Sequence, residues 1–389
     1  MNLLPAGFYD ILSPDAESEA NAAQSLLACF AEAGYGRVAP PMMEFEETLL
    51  SGPGAALNRT TFRVMDPGSQ RMLACRPDHT LQIGRIAATR LSQAPRPLRL
   101  SYAGPILRLS GHEQNHARQL TQVGVELIGS LDAEADAEVM LLAMQSLTRL
   151  GVHDISLDIT LPTLVPSLCH AFHVEGDARR KLHHALDRKD EALVQNVANA
   201  FSGEAGDKAN LEKVCAMALV LLRASGEIKR AVELLNEMDL PERAALDRTR
   251  LSRVMELLPA DMHSMMTVDL VESRGFEYQT GLSFALFSKT IRSELGRGGR
   301  YRTATQEPAT GFTFYAESLM PVLPRSKNRP RILVPFDVSQ TIAVSLASEG
   351  YVVVRHLSRG KDSSGADVMA EAKRQHCHAV LENGKPKLV

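Results

Sequence analysis

The sequence lacks tryptophan altogether, contains only 5% aromatic residues, and carries five widely spaced cysteines. An odd number of cysteines without a CxxC pair argues against both a disulfide framework and a cysteine zinc site. No apolar run approaches the roughly 20 residues that a membrane-spanning helix needs. The N-terminus also lacks the basic region and apolar stretch of a signal peptide. These absences favour a cytoplasmic protein with no membrane partner.

The overall charge is slightly acidic, with a formal net charge of −3 and a pI of about 6.5. This average does not indicate a strongly basic nucleic-acid surface. The contents of 44% hydrophobic and 23% charged residues are ordinary for a globular protein. With 389 residues, the chain is long enough for two or three domains and a sizeable core.

Local patterns predict a sheet domain that is interrupted by helices. Strand-like segments occur at residues 98–102, 105–110 and 119–128. Apolar residues at helical spacing predict a helix over 132–150. Charged and alanine-rich stretches from about 176 to 260 indicate a helical insertion between two parts of the sheet domain.

The chain is predicted to divide into a large core and a small C-terminal unit. Residues 1–322 form the core, the proline-containing segment 323–330 is a linker, and residues 331–389 form an α/β unit. Within that unit, a strand is predicted at 331–336 and a helix at 340–348. Such a unit is small for an independent domain.

One predicted strand carries two polar side chains on the same face. Because side chains alternate along a strand, Val123 and Val125 face one way, and Gln122 and Glu126 face the other. Gly124 leaves a gap between the amide and the carboxylate. A buried amide or carboxylate needs partners, so this face is a candidate floor for a small polar ligand. The alternative is a solvated face, which antiparallel sheets often have.

Two other segments offer groups that suit an α-amino acid. Asp78 lies in a turn-like segment before a predicted helix, and Arg274 and Tyr278 share one strand parity. An ammonium group prefers carboxylate oxygens, and a carboxylate prefers a guanidinium group. The alternative role for Arg274 is a structural ion pair at a sheet edge.

These segments, in this order, resemble a class II histidyl-tRNA synthetase over residues 1 to about 322. The matching segments are Pro40-Pro41 (motif 1), 76–80 (the Arg-Pro-Glu-Gly-Thr turn), 102–129 (motif 2), 274–278 (the Arg-Gly-Leu-Asp-Tyr signature), 298–301 (the Gly-Gly-Arg-Tyr-Asp element) and 311–319 (motif 3). The resemblance implies an α+β fold. We expect a class II aminoacyl-tRNA synthetase-like antiparallel sheet flanked by helices, with a helical insertion and a small C-terminal α/β unit.

The chain departs from the synthetase at the positions that grip ATP. Motif 2 keeps its arginine as Arg108, but Ser110 stands where a glutamate is expected, and His116 replaces a second basic residue. Motif 3 has Ser318 in place of an arginine that binds ATP phosphate. A serine cannot present a fixed cation to a triphosphate, and adenylation relies on electrostatic stabilisation at phosphorus. The resemblance therefore implies a vestigial nucleotide site and no catalytic residue.

A paralogous family with this pattern is the regulatory subunit of ATP phosphoribosyltransferase. Its members partner the short-form catalytic subunit at the first step of L-histidine biosynthesis. The resemblance implies a chain that is not itself an enzyme, activates this partner and mediates feedback inhibition by L-histidine. It also implies a homodimer through the motif 1 region within a larger hetero-oligomer, with no tRNA partner, no metal and no cofactor.

The same resemblance implies a pocket for L-histidine. Asp78 and Thr80 would meet the α-ammonium, Gln122 would lie near the ammonium and the carboxylate, and Arg274 would bind the carboxylate. Asp78 is one methylene shorter than the glutamate of the family. The expected histidine-binding residues are Asp78, Thr80, Gln122, Glu126, Arg274, Tyr278, Gln279 and Tyr301.

The imidazole end of that pocket differs from the synthetase. Glu126 would face the imidazole, and Tyr301 would close the pocket. Where the synthetase has two successive tyrosines, the chain has Tyr278-Gln279, so a glutamine takes the position that contacts the imidazole. A glutamine can still form a hydrogen bond with a ring nitrogen.

Other interpretations of the sequence are open at this stage. An active histidyl-tRNA synthetase would need replacements for the missing ATP-binding groups. Residues 112–116 fit the H-E-x-x-H pattern of zinc metalloproteases, but that motif requires a helix, and the strand-like flanks predict a hairpin loop. Residues 296–300 fit an anion-binding nest, although we expect a loop that closes the pocket.

Overall fold

The structure is a computed structural model that describes residues 3–109, 117–272, 279–290, 294–323, 329–357 and 365–389, without the side chains of Gly52, Pro53 and Ala56. The strands in these ranges are β1 (Gly36–Arg37), β2 (Met43–Phe45), β3 (Arg63–Met65), β4 (Met72–Cys75), β5 (Leu98–Leu107), β6 (Gln119–Ile128), β7 (Ile155–Thr160), β8 (Gly226–Glu227), β9 (Met266–Asp269), β10 (Gln279–Ser288), β11 (Glu294–Arg302), β12 (Pro308–Tyr315), β13 (Arg331–Val334), β14 (Val352–Arg355), β15 (Ala379–Glu382) and β16 (Lys385–Leu388).

The α-helices in the same ranges are α1 (Asp15–Glu32), α2 (Glu46–Leu49), α3 (Thr80–Ala88), α4 (Ala133–Arg149), α5 (Leu164–Ala171), α6 (Gly176–Asp187), α7 (Glu191–Asn199), α8 (Ala205–Ala224), α9 (Ile228–Glu237), α10 (Glu242–Leu257), α11 (Ala316–Leu319), α12 (Gln340–Ser348) and α13 (Gly365–Arg374). Among the residues described, no helix is long and apolar enough to cross a membrane.

Nine strands form one large sheet in the order β1-β5-β6-β12-β11-β10-β7-β9-β8. Its centre, from β5 to β7, is antiparallel throughout. Strand β5 is continuous, so the break predicted after residue 102 is wrong. Pro105 fits inside β5 because its carbonyl accepts from Nε of Arg76, away from β6. The N–H that proline lacks would lie on that same side, where no strand pairs with it.

Apolar residues on one face of β6 pack against α1 and α4. Val123, Val125 and Leu127 lie in one buried cluster with Phe30 of α1 and Met140 of α4. Helix α4 occupies the segment that was predicted to be helical. The predicted alternation of β6 is therefore confirmed, and its even-numbered residues face the other side of the sheet.

That other side, which we call the front face, is covered in part by α3. Ile83 and Ala87 of α3 pack with Leu100, Ile128 and Ala309 in a second apolar cluster. The chain enters this helix through a turn that contacts the polar side chains of β6. The front face is therefore apolar under the helix and polar beside the turn.

Helices α6 to α10 occupy the segment predicted to be a helical insertion. Apolar residues from them, including Leu182, Val214 and Leu251, belong to the same buried cluster as the back of the large sheet. The segment also contributes β8, whose Gly226 pairs with Val268 of β9 at the sheet edge. The insertion is thus continuous with the core of the sheet domain.

Contacts divide the chain into two units, Met1–Pro324 and Arg325–Val389. In the second unit, β14, β13 and β15 are parallel, and β16 is antiparallel to β15. Ile332 and Leu346 belong to one apolar cluster, and Leu333 and Ala372 belong to another. Helix α12 matches the predicted bounds, whereas β13 ends two residues earlier than predicted.

Candidate binding site

A cavity lies on the front face, between the turn before α3 and strands β6, β10, β11 and β12. Its empty space is about 370 Å³, and this volume includes space that is open to solvent. Its lining includes Asp78, Thr80, Glu126, Gln279, Arg297 and Tyr301. The structure therefore brings together six side chains from four separate segments of the chain.

Two glycines on neighbouring strands form the floor of the cavity. Gly299 of β11 pairs with Gly311 of β12, and Gly311 pairs on its other side with Glu126. A Cβ at Gly311 would collide with Oε2 of Glu126. At Gly299, where φ is +145°, a Cβ would lie 2.5 Å from Oε1 of Gln279. The ends of the Glu126 and Gln279 side chains therefore lie directly against these two glycines, which line the cavity between them.

The gap that was predicted at Gly124 is not open. A Cβ at this position would lie 2.6 Å from the hydroxyl of Tyr102, a fully buried residue of β5. This hydroxyl is 2.7 Å from Oγ1 of Thr313 and also donates to Glu126 at 3.3 Å. The predicted position of the floor is therefore wrong, because the Tyr102 hydroxyl lies over Gly124. The cavity lies instead beside Gly311 of β12 and Gly299 of β11.

The carboxyl group of Glu126 is buried among three hydroxyl groups. Thr80 and Tyr102 donate to Oε1 at 2.8 and 3.3 Å, and Tyr301 donates to Oε2 at 2.8 Å. Burial raises the pKa of Glu126 to about 8, although the hydroxyl hydrogen bonds oppose this rise. Near pH 7, this side chain is therefore mainly a neutral carboxylic acid, which can donate a hydrogen bond as well as accept one.

The amide of Gln122 is held in one orientation by its neighbours. Its Oε1 accepts from the backbone N–H of His79 at 2.9 Å and lies 2.8 Å from Nδ1 of the same histidine. Its Nε2 donates to Asp78 at 3.1 Å and to Thr313 at 3.0 Å. Gln122 is fully buried. The polar face of β6 is therefore not solvated, and the alternative interpretation of this strand is wrong.

His79 completes this network from the turn before α3. Its ring stacks on Tyr102, with centroids 4.8 Å apart and an angle of 11° between the planes. Burial and the charge of Arg76 lower the pKa of His79 to about 4. The ring is therefore neutral near pH 7, and Nδ1 carries the proton that Oε1 of Gln122 accepts.

At the other end of the cavity, Arg108 links the turn to β12. Its Nη2 donates to the hydroxyl of Tyr315 at 2.9 Å and lies 3.5 Å from Oδ2 of Asp78. Its Nε donates to the carbonyl of Pro77 at 3.1 Å. Oδ1 of Asp78 accepts from the backbone N–H of Thr80 at 2.8 Å. The Asp78 carboxylate thus faces the cavity with its charge only partly balanced.

Gln279 presents an unpaired acceptor to the same space. The residue is 7% exposed, and Oε1 has no hydrogen-bond partner within the described ranges. A buried amide oxygen without a partner is unfavourable by about 1–3 kcal/mol. Because Oε1 lies over the floor at Gly299, it is placed to accept a hydrogen bond from a ligand.

The motif 3 region contains no cation at the expected position. Ser318 lies half-buried in α11, where the synthetase has an arginine. The neighbouring Glu317 accepts from the backbone N–H of Thr121 at 2.8 Å, and burial raises the pKa of Glu317 to about 7. This end of the sheet therefore carries a weakly acidic carboxyl group and a hydroxyl group.

Several predicted site residues lie outside the described part of the chain. They are Ser110, His116, Arg274 and Tyr278. The H-E-x-x-H segment at 112–116 also lies outside it. Among the residues that are described, no group of three His, Cys, Asp or Glu side chains could hold a metal ion.

Comparisons with known proteins assign the chain to a family. The family model described as histidyl-tRNA synthetase matches residues 7–319. The ATP phosphoribosyltransferase regulatory subunit of Rhodospirillum centenum is 47% identical over 387 residues, which cover 99% of this chain and 96% of that protein. The chain belongs to the family of ATP phosphoribosyltransferase regulatory subunits. A second member of this regulatory-subunit family, from Paramagnetospirillum magneticum, is 47% identical over 97% of the chain and 96% of its own length.

A solved structure has the same fold as this member of the regulatory-subunit family. An ATP phosphoribosyltransferase regulatory subunit/histidyl-tRNA synthetase from Bacillus halodurans superposes with a TM-score of 0.78 over 96% of each chain, at 24% identity. The class II synthetase-like α+β fold expected from the sequence is therefore confirmed.

Sequence reasoning did not assign His79 and Tyr102 to the candidate site. His79 stands where the synthetase turn has a glycine, so the signal was a substitution inside a recognised motif. Tyr102 opens the motif 2 segment, and its register opposite Gly124 decides its role. That register was hidden from a prediction that divided β5 into two strands.

Proposed function

We propose that this chain is a non-catalytic regulatory subunit of ATP phosphoribosyltransferase and that it binds L-histidine in the cavity of the front face. Its family membership supports the regulatory role. The cavity supports an amino-acid ligand, because Asp78 presents a carboxylate at one point and Gln279 presents an unpaired acceptor at another. The observation that carries the proposal is this partly unsatisfied polar lining beside a motif 3 that lacks its arginine at Ser318.

The ammonium group of the ligand would lie at the turn before α3. Asp78 supplies the negative charge, and Thr80 and Gln122 supply neutral oxygen and nitrogen atoms next to it. A charge-assisted hydrogen bond to the carboxylate is the stronger kind. The Arg274 side chain, from the signature shared with synthetases, would hold the ligand carboxylate.

The imidazole would lie over the two glycines of the floor, between Glu126 and Gln279. A neutral imidazole has one N–H donor and one nitrogen acceptor. The protonated Glu126 supplies a donor, and Oε1 of Gln279 supplies an acceptor. Tyr278 and Tyr301 would border the ring, with the Tyr301 hydroxyl fixed on Glu126. The two ends of the imidazole thus meet complementary groups.

The same cavity is poorly equipped to activate histidine. Arg108 is hydrogen-bonded to Tyr315 and faces Asp78, and Ser318 brings no charge to the motif 3 position. Phosphoryl chemistry on ATP depends on cations placed around the phosphorus. We therefore infer that the nucleotide site, with Ser110 and His116 in its motif 2 segment, is vestigial, and that the chain uses neither tRNA nor a cofactor.

The proposed partner is the short-form catalytic subunit, which makes phosphoribosyl-ATP from ATP and phosphoribosyl pyrophosphate. The chain would form a homodimer through the motif 1 region, within a cytoplasmic hetero-oligomer. It would raise the activity of the partner, and bound histidine would lower that activity. Binding linkage is reciprocal, so association with the catalytic subunit must also change the affinity for histidine.

The decisive experiment mixes the purified chain with a short-form catalytic subunit. We expect co-elution on size exclusion, a higher rate of phosphoribosyl-ATP formation, and inhibition of that rate by L-histidine. Two proteins that elute separately, with an unchanged rate, would refute the regulatory role.

The histidine pocket is tested separately by calorimetry on Glu126→Ala and Arg274→Ala. Both variants should bind L-histidine more weakly than the wild type. Glu134→Ala is the matched control, because Glu134 pairs with Arg253 on the exposed surface. Equal affinities in all four proteins would place the histidine site elsewhere.

The competing candidate is an active histidyl-tRNA synthetase, because the family model that matches residues 7–319 is described as histidyl-tRNA synthetase. Histidine-dependent exchange of pyrophosphate into ATP distinguishes the two. We expect no exchange, since the cation of motif 3 is missing. Robust exchange would restore the synthetase interpretation.

A further inference from the structure

The glycine-rich segment at 296–300 is not a loop or an anion nest. It is the middle of β11, paired with β10 on one side and β12 on the other. Backbone N–H groups that pair within a sheet are not available to bind an anion. The expectation of a closing loop is therefore wrong, and only a side chain of this segment can recognise a negative charge.

One side chain of the segment, Arg297, lines the cavity. Side chains alternate along a strand, so Arg297, Gly299 and Tyr301 share the face that carries the cavity. Gly299 places no side chain of its own between Arg297 and Tyr301. Arg297 also pairs in register with Thr313 of β12, which is two residues beyond Gly311 and on the same face. The Arg297 side chain therefore begins at the pair of residues that adjoins the Gly299–Gly311 pair on this face.

A local irregularity of β11 fixes the direction of this guanidinium group. Leu286 of β10 pairs with Gly296, but the next residue, Phe287, pairs with Glu294, so the register skips one residue of β11. Such bulges redirect side chains and are common beside functional sites. Here, Glu294 accepts from Nε and Nη2 of Arg297 at 2.7 and 2.6 Å. Two parallel hydrogen bonds hold the planar group in one orientation.

A second cation stands at the same end of the cavity. Arg108 donates to the hydroxyl of Tyr315, a residue that also lines the cavity. Burial raises the pKa of Tyr315, and the charges of Arg108 and Arg297 both oppose that rise. Both guanidinium groups are therefore close enough to Tyr315 for their charges to act on its hydroxyl.

The charges along the cavity form a pattern that fits a zwitterion. The turn before α3 supplies the carboxylate of Asp78, and β11 supplies the cation of Arg297. We infer that Arg297, in addition to Arg274, is an anchor for the carboxylate of the bound α-amino acid. This inference rests on the proposed amino-acid pocket and adds the residue that selects for a negatively charged group.

The inference also bears on the missing synthetase arginine. In motif 3 the cation would have come from α11, where Ser318 now stands. Arg297 supplies a cation from β11 instead, held by Glu294. A charge in this position suits a ligand carboxylate, which is bound and released without reaction.

The test compares two ligands that differ only in the carboxylate. Isothermal titration measures L-histidine and histamine, which lacks the carboxylate, on the wild type, Arg297→Met and Arg297→Lys. A lost charge-assisted hydrogen bond corresponds to a loss of affinity of about 10- to 100-fold. We expect Arg297→Met to show this loss for L-histidine and to bind histamine as the wild type does. Arg297→Lys should be intermediate, because a lysine keeps the charge but not the planar fork.

Arg302→Met is the matched control, because Arg302 lies on the same strand but is exposed and donates to the carbonyl of Gln306. It should bind both ligands normally. An Arg297→Met protein that keeps its affinity for L-histidine, or that loses both ligands equally, would contradict the role of Arg297 and leave the proposed amino-acid pocket standing. A wild type that binds neither ligand would overturn the amino-acid pocket and this inference with it. If Arg297→Met does not fold, an Arg297→Lys protein with no selective loss for L-histidine would count against the inference.

Discussion

The hydroxyl of Tyr301 donates to Oε2 of Glu126 at 2.8 Å, and so it joins β11 to β6 across the intervening strand β12. The two residues are 175 positions apart in the sequence. Both side chains are at least nine-tenths buried. Their contact borders the space over Gly311, so the shape of the cavity and the protonation of Glu126 depend on the same hydrogen bond.

Replacing Tyr301 with phenylalanine should destabilise the protein and make Glu126 harder to ionise. The Tyr301 hydrogen bond lowers the pKa of Glu126, against the larger effect of burial. Its removal should therefore raise that pKa further, and should lower the free energy of unfolding by about 1 kcal/mol. Chemical denaturation measures the stability, and carbon-13 NMR of labelled glutamate measures the pKa. Tyr351→Phe, in the core of the C-terminal unit, should leave the Glu126 titration unchanged.

The contribution of Glu126 to the stability of the protein should fall as the pH rises from about 4.5 to about 8. The pKa of Glu126 is about 8 in the folded chain and near 4.5 in the unfolded chain. Between these values, the unfolded state ionises while the folded state keeps its proton, so unfolding releases a proton and becomes more favourable with pH. The full loss is on the order of 3–5 kcal/mol.

The variant Glu126→Gln isolates this contribution. Urea denaturation between pH 5 and pH 9, a range chosen to bracket the pKa of about 8, should show a decline for the wild type that is much shallower in the variant. Glu317→Gln is a useful comparison, because the pKa of Glu317 is about 7 and its contribution should end at lower pH. Parallel pH profiles for the wild type and Glu126→Gln would contradict a protonated Glu126.

Replacing Gly311 with alanine should close the cavity from below. A Cβ there would collide with Oε2 of Glu126 and with the carbonyl of Val125. Overpacking of this kind usually destabilises a protein by about 1–3 kcal/mol, and displacement of the Glu126 carboxyl should abolish histidine binding. Thermal unfolding and calorimetry give the two readouts. Gly206→Ala, in α8, has no heavy atom within 4 Å of the added carbon and should be neutral or slightly stabilising.

The back of the site was easier to predict than its front. The period-2 pattern of β6 correctly assigned Val123 and Val125 to the core and Gln122 and Glu126 to the other face, because alternation is a local property of any strand. What fills the space above Gly124 depends instead on Tyr102 of the neighbouring strand. Only the register between β5 and β6 decides this, and no local pattern in one strand contains it.

Arg297 illustrates the same limit for charged residues. Three glycines and two arginines in a row suggested a loop, since glycine weakens a strand and is common in turns. The structure shows a strand, because close approach to β10 and β12 leaves no room for side chains at these glycines. Tertiary packing therefore outweighed the local preference for a loop. As a result, Arg297 lies in a strand, and its side chain lines the cavity.

Replacing His79 with phenylalanine should weaken histidine binding through Gln122. The phenyl ring can keep the stack on Tyr102, but it cannot donate to Oε1 of Gln122 as Nδ1 does. The backbone N–H of residue 79 still holds that oxygen, so the expected loss of stability is only about 1 kcal/mol. The freed amide can rotate, however, and Nε2 would then leave Asp78.

The expected result is a weaker affinity for L-histidine, measured by calorimetry, at nearly unchanged thermal stability. His79→Asn offers a donor close to the position of Nδ1 and should recover part of the affinity. His376→Phe in the C-terminal unit is the control for the loss of a histidine. If His79→Phe and His79→Asn bind L-histidine equally well, the orientation of Gln122 does not depend on the His79 ring. Because the pKa of His79 is about 4, the difference in affinity between the wild type and His79→Phe should be the same at pH 6 and pH 8, since the wild-type ring is neutral at both.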